Sequence, residues 1–331
     1  MKMQVILPFE DNPYTLMYHY TAFPMGIIQG NAKEDITPWL CGRHINCWFD
    51  KTWINQFCIC VSDNYGVSDG IITSENISVF PALLEELFEN PLQLFRTMID
   101  QGTYPNGSYN EEFIPGKYSY QKEYYSHDFL LIGYDDVEQS FISAGYLADR
   151  QFHRFSIPYE SMAQAIKTMR ASKCSYTFWR FQPNAVFRLN LSRIVSDLCD
   201  YLQSKTSLKI YSKKRIWGMK AVEQLIVFFA ESECIDSRYT RGIMEHKFFM
   251  QMRMSYLFEK GYLKKESYCN LSTQIYKMSE SVRMLSLKYN LTGNQSLIPK
   301  ICETMREMQR LEREYLPAVL NDLLGFVEEK T

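Results

Sequence analysis

The chain has no surplus of charge of either sign: 36 Lys and Arg stand against 38 Asp and Glu, a formal net charge of -2. Without a global field, nucleic acid and an anionic membrane surface are disfavoured as partners, the short run Lys213-Lys214-Arg215 being a local exception. Long apolar stretches are also missing, and none approaches the roughly 20 residues that cross a bilayer. No secretory leader, internal repeat or low-complexity tract is visible. The nine cysteines fall at irregular spacings, so they read as reduced thiols of a soluble, cytoplasmic protein rather than as a disulfide framework. Glycine is scarce, with 15 residues against 23 Tyr and 21 Phe. Rings of that number build either a core or a pocket for an apolar ligand.

At 331 residues the chain suits two domains. Over residues 13–29, Leu16, Tyr20, Phe23 and Ile27 recur at spacings of three and four, which predicts helix, with Pro24 as a kink or break. Residues 46–49 and 57–61 are apolar and β-rich. The stretch 79–101 reads as two amphipathic helices divided at Asn90-Pro91. Beyond it, His127 opens the strongest strand-like run in the chain, followed by a turn at Gly133-Tyr134-Asp135-Asp136 and a return strand through Phe141 and Ile142. Five long periodic segments then predict helices over 184–204, 214–232, 237–259, 271–290 and 296–328. Asp236 and Asn270 serve as caps and Gly261 as a stop. Residues 168–183 read as a junction. The expected organisation is an α+β domain over 1–175 and an all-α domain over 176–331.

A histidine at the mouth of a hairpin strand is how a papain-like sheet presents its general base, though such a residue is also a common structural one. Four thiols precede it. Cys41, after Pro38-Trp39, is placed to start a helical turn, where the dipole would lower its pKa; the competing reading for Cys41 and Cys47 is burial in the core. Cys58 and Cys60, two apart on a strand, have no second half of a zinc site, and neither a metal nor a cofactor is expected. Asp128 adjoins His127, but strand alternation points the two apart. Glu111 or Glu112 is the better candidate to orient the imidazole. Asp135 and Asp136 are turn formers. In the helical half, Met250, Met252 and Met254 beside Phe248 and Phe249 suit either core or an adaptable partner surface, and Glu245 and His246 a solvated face.

The run Ile99-Asp100-Gln101-Gly102, Glu111, Phe113-Ile114-Pro115, Tyr120, Lys122, Ser126-His127-Asp128, Ile132-Gly133-Tyr134-Asp135, Phe141, Ala144-Gly145 and Ile157, with Pro38-Trp39-Leu40 and Ile45 before it, resembles the butirosin-biosynthesis acyltransferase-like family. Members that accompany nonribosomal peptide synthetases are the nearest in pattern. The resemblance implies a papain-like (cysteine-peptidase-like) N-terminal domain and a helical C-terminal one. It also implies transfer of an acyl group from a carrier-protein phosphopantetheine thioester to an amine.

Two positions depart from that pattern. Where the family places its nucleophilic cysteine, this chain reads Tyr18-His19-Tyr20, and where a triad Asp or Asn would follow the histidine it reads Ser143-Ala144-Gly145. Two classes of function follow. In the first, an acyl or peptidyl transferase of thiotemplated biosynthesis uses His127 with Cys41 or the acceptor amine itself, with Glu111 orienting the base and Tyr18, His19, Ser143 and Tyr146 around the substrate. In the second, a catalytically silent accessory protein on the same scaffold docks a carrier domain, a synthetase or an apolar product.

Overall fold

The computed structural model describes residues 3–50, 56–59, 69–79, 90–170, 174–207 and 215–328. In chain order the elements are β1 (Gln4–Ile6), α1 (His19–Asn31), α2 (Thr37–Leu40), β2 (Cys47–Asp50), β3 (Gln56–Ile59), β4 (Ile72–Val79), α3 (Pro91–Asp100), β5 (Tyr104–Asn110), β6 (Ser126–Asp135), β7 (Ser140–Tyr146) and β8 (Phe152–Pro158). There follow α4 (Tyr159–Lys167), β9 (Cys174–Phe181), α5 (Leu191–Gln203), β10 (Arg215–Trp217), α6 (Gly218–Glu231), α7 (Ser237–Glu259), α8 (Ser267–Thr292) and α9 (Leu297–Glu328). The architecture is α+β. The chain forms two compact units, and each is discontinuous: residues 1–33 with 63–186, and residues 34–62 with 187–331. This differs from a single cut at 175/176, because β2 finds one of its two partners far along the chain, in β10, with Phe49 opposite Ile216. No helix among the described residues is long and apolar enough to cross a membrane.

Unit 1 is built on an antiparallel sheet in the order β4-β9-β5-β6-β7-β8, with β1 adding to β6. Alternation along β6 sends Phe129 and Leu131 into a core with Phe95 and Ile99 of α3 and Met162 and Ile166 of α4. The other face meets α1, where the Phe23 ring lies 6.3 Å from that of Trp179. Helix α1 begins at His19 and runs as one piece through Pro24, giving up one backbone bond there. Asn90 caps α3 by accepting from the Leu92 N–H; the helix expected just before it, residues 80–89, lies outside the described residues.

Two sequence expectations are corrected in this sheet. Residues 174–181 are not a junction but strand β9, paired on both sides by β4 and β5. Gly133 is not in the turn: β6 continues to Asp135 and the connection is 136–139. Glycine is needed at 133 because a Cβ there would sit 2.3 Å from the Val5 carbonyl oxygen of β1, beside a register shift between Leu131 and Gly133. Asp135 does form the turn, its Oδ1 accepting from the Val137 and Glu138 N–H groups.

Unit 2 holds the five long helices, together with α2 and the small sheet β10-β2-β3. Asp236 caps α7, and Gly261, with φ +77°, follows its end. Asn270 is not a cap; α8 starts at Ser267 after Glu266, whose side chain makes no capping bond and so leaves no sequence signal. Glu245 and His246 are buried rather than solvated: Glu245 accepts from Arg241 Nε at 2.8 Å, and His246 Nε2 lies 2.8 Å from the Ile45 carbonyl oxygen. Met250 and Met254 are core. Beside them the Lys247 ammonium is held 2.7 Å from both oxygens of Glu312, which also accepts from Tyr201 Oη at 2.9 Å.

Candidate functional site

The site lies in unit 1, where the start of β6 meets the end of β5 and the first turn of α1. Antiparallel register sets Asn110 opposite Ser126 and Tyr109 opposite His127. Asn110 then accepts from the Glu112 N–H and turns the chain into a short 3-10 segment, Glu111–Phe113. The Glu111 N–H donates to the Tyr125 carbonyl at 2.8 Å, so the Glu111 side chain starts alongside the mouth of β6. Its Oε1 lies 3.1 Å from His127 Nδ1 and 3.1 Å from Lys117 Nζ. The Lys117 ammonium also donates to the Tyr146 carbonyl at 2.8 Å and lies over the rings of Phe129 and Phe155. Burial works against charge on both Glu111 and Lys117. For Glu111, the bond to His127 and the field of Lys117 outweigh burial and hold the carboxyl below its ordinary value. Burial leaves Lys117 below its ordinary value despite Glu111.

A carboxylate accepting from Nδ1–H fixes the imidazole as the tautomer whose Nε2 carries a lone pair. The His127 side chain is 37% exposed, so the ring is not sealed in the core. The orienting acid expected sixteen residues after the histidine is supplied instead from sixteen residues before it.

Behind His127 stands His19. Tyr18 is the N-cap residue of α1, its carbonyl accepting from the N–H groups of Thr21 and Ala22, while its ring stacks on Tyr20 at 5.1 Å. That places His19 first in the helix, stacked on Phe23 at 4.7 Å and tilted against the rings of His127 at 4.7 Å and Tyr146 at 5.1 Å. His19 Nδ1 lies 3.2 Å from Asp128 Oδ1, and its Nε2 is buried with no hydrogen-bond partner among the described residues. Burial lowers the His19 pKa. Burial alone would raise that of Asp128, but the bond to His19 and the nearby imidazoles hold the carboxyl below its usual range. Alternation does put Asp128 on the α1 face, where it meets His19, yet its Oδ1 comes within 3.9 Å of His127 Nε2. One ligand-type atom from each of His19, His127 and Asp128 lies within 4.8 Å of the other two.

Of the residues singled out in the sequence, His127, Glu111, His19 and Tyr146 thus come together, with Tyr18 next to them. The Tyr146 hydroxyl donates to the Leu16 carbonyl. Ser143 is buried in the sheet, its hydroxyl donating to the Leu130 carbonyl at 2.8 Å. Cys41 belongs to unit 2, at the C-terminal cap of α2 rather than at a helix start. The dipole there is of the wrong sign to favour a thiolate, and burial pushes the thiol up to about 12. Cys174, the one cysteine within the residue ranges of unit 1, is a buried core residue whose pKa burial also raises. Cys60 lies outside the described residues. Sequence reasoning missed Lys117 and the His19–Asp128 pair. For Lys117 a signal existed: a lysine six residues after an acid in a turn-rich segment. For the pair there was none, because the residues are 109 apart.

No protein-family model matches the chain, and no curated protein does.

Proposed function

We propose that unit 1 is a papain-like acyltransferase domain in which His127, oriented by Glu111, is the general base. The observation that carries this reading is the 3.1 Å contact of His127 Nδ1 with Glu111 Oε1 on a ring that remains accessible. An imidazole so held takes a proton at Nε2 and returns it to a leaving group. The donor is a carrier-bound phosphopantetheine thioester, already activated, so an acceptor amine or water attacks the carbonyl directly. His127 takes the proton lost by the nucleophile, the tetrahedral intermediate collapses, and the departing thiolate recovers that proton. No enzyme thiol is required, in keeping with Tyr18-His19 at the helix start and the raised pKa of Cys41. A carrier protein or peptide synthetase of a cytoplasmic thiotemplated pathway is the corresponding partner.

The test uses acyl-pantetheine thioesters with an amine acceptor and the full-length protein. His127→Ala is expected to lower thioester consumption by about 10²–10⁴-fold. Full activity in that variant sinks the reading, and a stable acyl adduct on any cysteine by intact mass replaces direct attack with a covalent route. A second reading, a catalytically silent docking protein, is favoured by the same missing thiol. It predicts carrier-protein binding that His127→Ala leaves unchanged, with no turnover by the wild type.

A further inference from the structure

We propose that His19, His127 and Asp128 form a binding site for a divalent transition-metal ion, with Zn²⁺ or Co²⁺ as the fitting class. The inference goes beyond the acyl-transfer reading and does not depend on it. Three observations support it. The first is distance. A tetrahedral ion with bonds of about 2.0–2.1 Å separates its ligand atoms by about 3.3 Å. His19 Nδ1 and Asp128 Oδ1 stand 3.2 Å apart, and Asp128 Oδ1 and His127 Nε2 stand 3.9 Å apart, so a small inward lean of His127 closes the set.

The second is the surroundings of the ligands. A metal-binding imidazole characteristically donates its other ring N–H to a carboxylate, which fixes the tautomer and strengthens the ligand. His127 has this partner in Glu111, itself held by Lys117. The third is His19: its ring is only 8% exposed, and its Nδ1 is already held beside the Asp128 carboxylate, so an ion would meet two ligand atoms positioned in advance. Two imidazoles and one carboxylate suit Zn²⁺, Co²⁺ or Fe²⁺ in preference to Ca²⁺ or Mg²⁺, which favour oxygen. Three protein ligands also leave a coordination position for water or substrate. Metal binding and base catalysis draw on the same Nε2 lone pair of His127, so an occupied site has no free base.

The experiment titrates the chelator-treated full-length protein with Co²⁺ and follows visible ligand-field absorption. One equivalent is expected per chain, without the near-ultraviolet thiolate band that cysteine ligation would give. His19→Gln and Asp128→Asn, each checked for fold by circular dichroism, are expected to weaken binding at least tenfold. On the wild type, Zn²⁺ should perturb the ring ¹H–¹⁵N signals of His19 and His127 and spare those of His44, His153 and His246. The proposal is overturned by the absence of ligand-field bands at millimolar Co²⁺, by a thiolate band, by unchanged binding in both variants, or by Zn²⁺ shifts confined to the other three histidines. Because these readouts are spectroscopic, they stand apart from the thioester assay, and either proposal can fail alone. If both hold, Zn²⁺ inhibits thioester consumption and a chelator restores it.

Discussion

Replacing Glu111 with Gln removes one charge from the most enclosed part of the site. The side chains of Lys117 and Glu111 are 1% and 6% exposed, with nitrogen and oxygen 3.1 Å apart. At an effective dielectric of about 20 that separation corresponds to about 5 kcal/mol of attraction, an upper bound before the hydration given up by both ions is counted. Removing one partner of a buried pair usually costs about 3–5 kcal/mol, because the other charge is left uncompensated. The Gln carbonyl still accepts from Lys117, and the Tyr146 carbonyl remains as a second acceptor, so about 3 kcal/mol is expected. The measurement is hydrogen exchange by mass spectrometry on peptides of β5 and β6, which reads the opening free energy of unit 1. Glu111→Gln/Lys117→Met should recover much of the loss, since the orphaned ion is gone. The sign of the pH dependence is fixed too. With its anion removed, Lys117 has a folded pKa even further below its unfolded value. The unfolded chain then binds more protons, and the variant gains stability as pH rises toward the ordinary lysine value. A loss below about 1 kcal/mol, or additivity of the two substitutions, would refute the argument.

Further expectations concern both units. Burial, followed by the charge of Lys247, holds His246 well below its ordinary value; Arg253 and His44 add to this, while the Ile45 carbonyl opposes it. The folded state therefore keeps the ring neutral while the unfolded chain protonates near pH 6.5. Stability of unit 2 should fall by about 1 kcal/mol as pH drops from 6.5 to 5.5. Urea unfolding across that window checks it, and a slope unchanged in His246→Gln counts against it. Gly133→Ala forces a Cβ against the Val5 carbonyl and should cost about 1–3 kcal/mol, read as faster exchange in β1 and β6. An unperturbed variant would mean that β1 yields freely.

The long helices were legible because their apolar period is strong and because Asp236 and Gly261 mark a start and a stop with chemistry of their own. Strand β9 was not, since Cys174, Tyr176 and Phe178 alternate inward over a segment short enough to pass for a connection. The role of Gly133 depends on β1, more than 120 residues earlier, and no local pattern records so distant a close approach. In the site, the Glu111–His127 pairing was readable because a hairpin register brings the end of one strand beside the start of the next. The starts of α1 and β6 meet only in three dimensions, which hid His19 and Asp128 from one another. Cys41 was misjudged at the level of local structure: Thr37 opens a helix of a single turn, and at Cys41, four residues later, that helix has ended.

The interleaving of the two units bears on how the chain is made and cut. Because β2 pairs with β10 as well as with β3, residues 34–62 emerge during synthesis long before the strand that completes their sheet exists. The residues of unit 1, by contrast, are all present as soon as residue 186 has appeared. The nascent segment then holds β2 paired with β3 on one side and still without β10 on the other. A fragment stopped at 175 would sever β9 after its second residue and keep β2 without β10. A fragment meant to isolate unit 1 should join residue 33 to residue 63 and continue through 186.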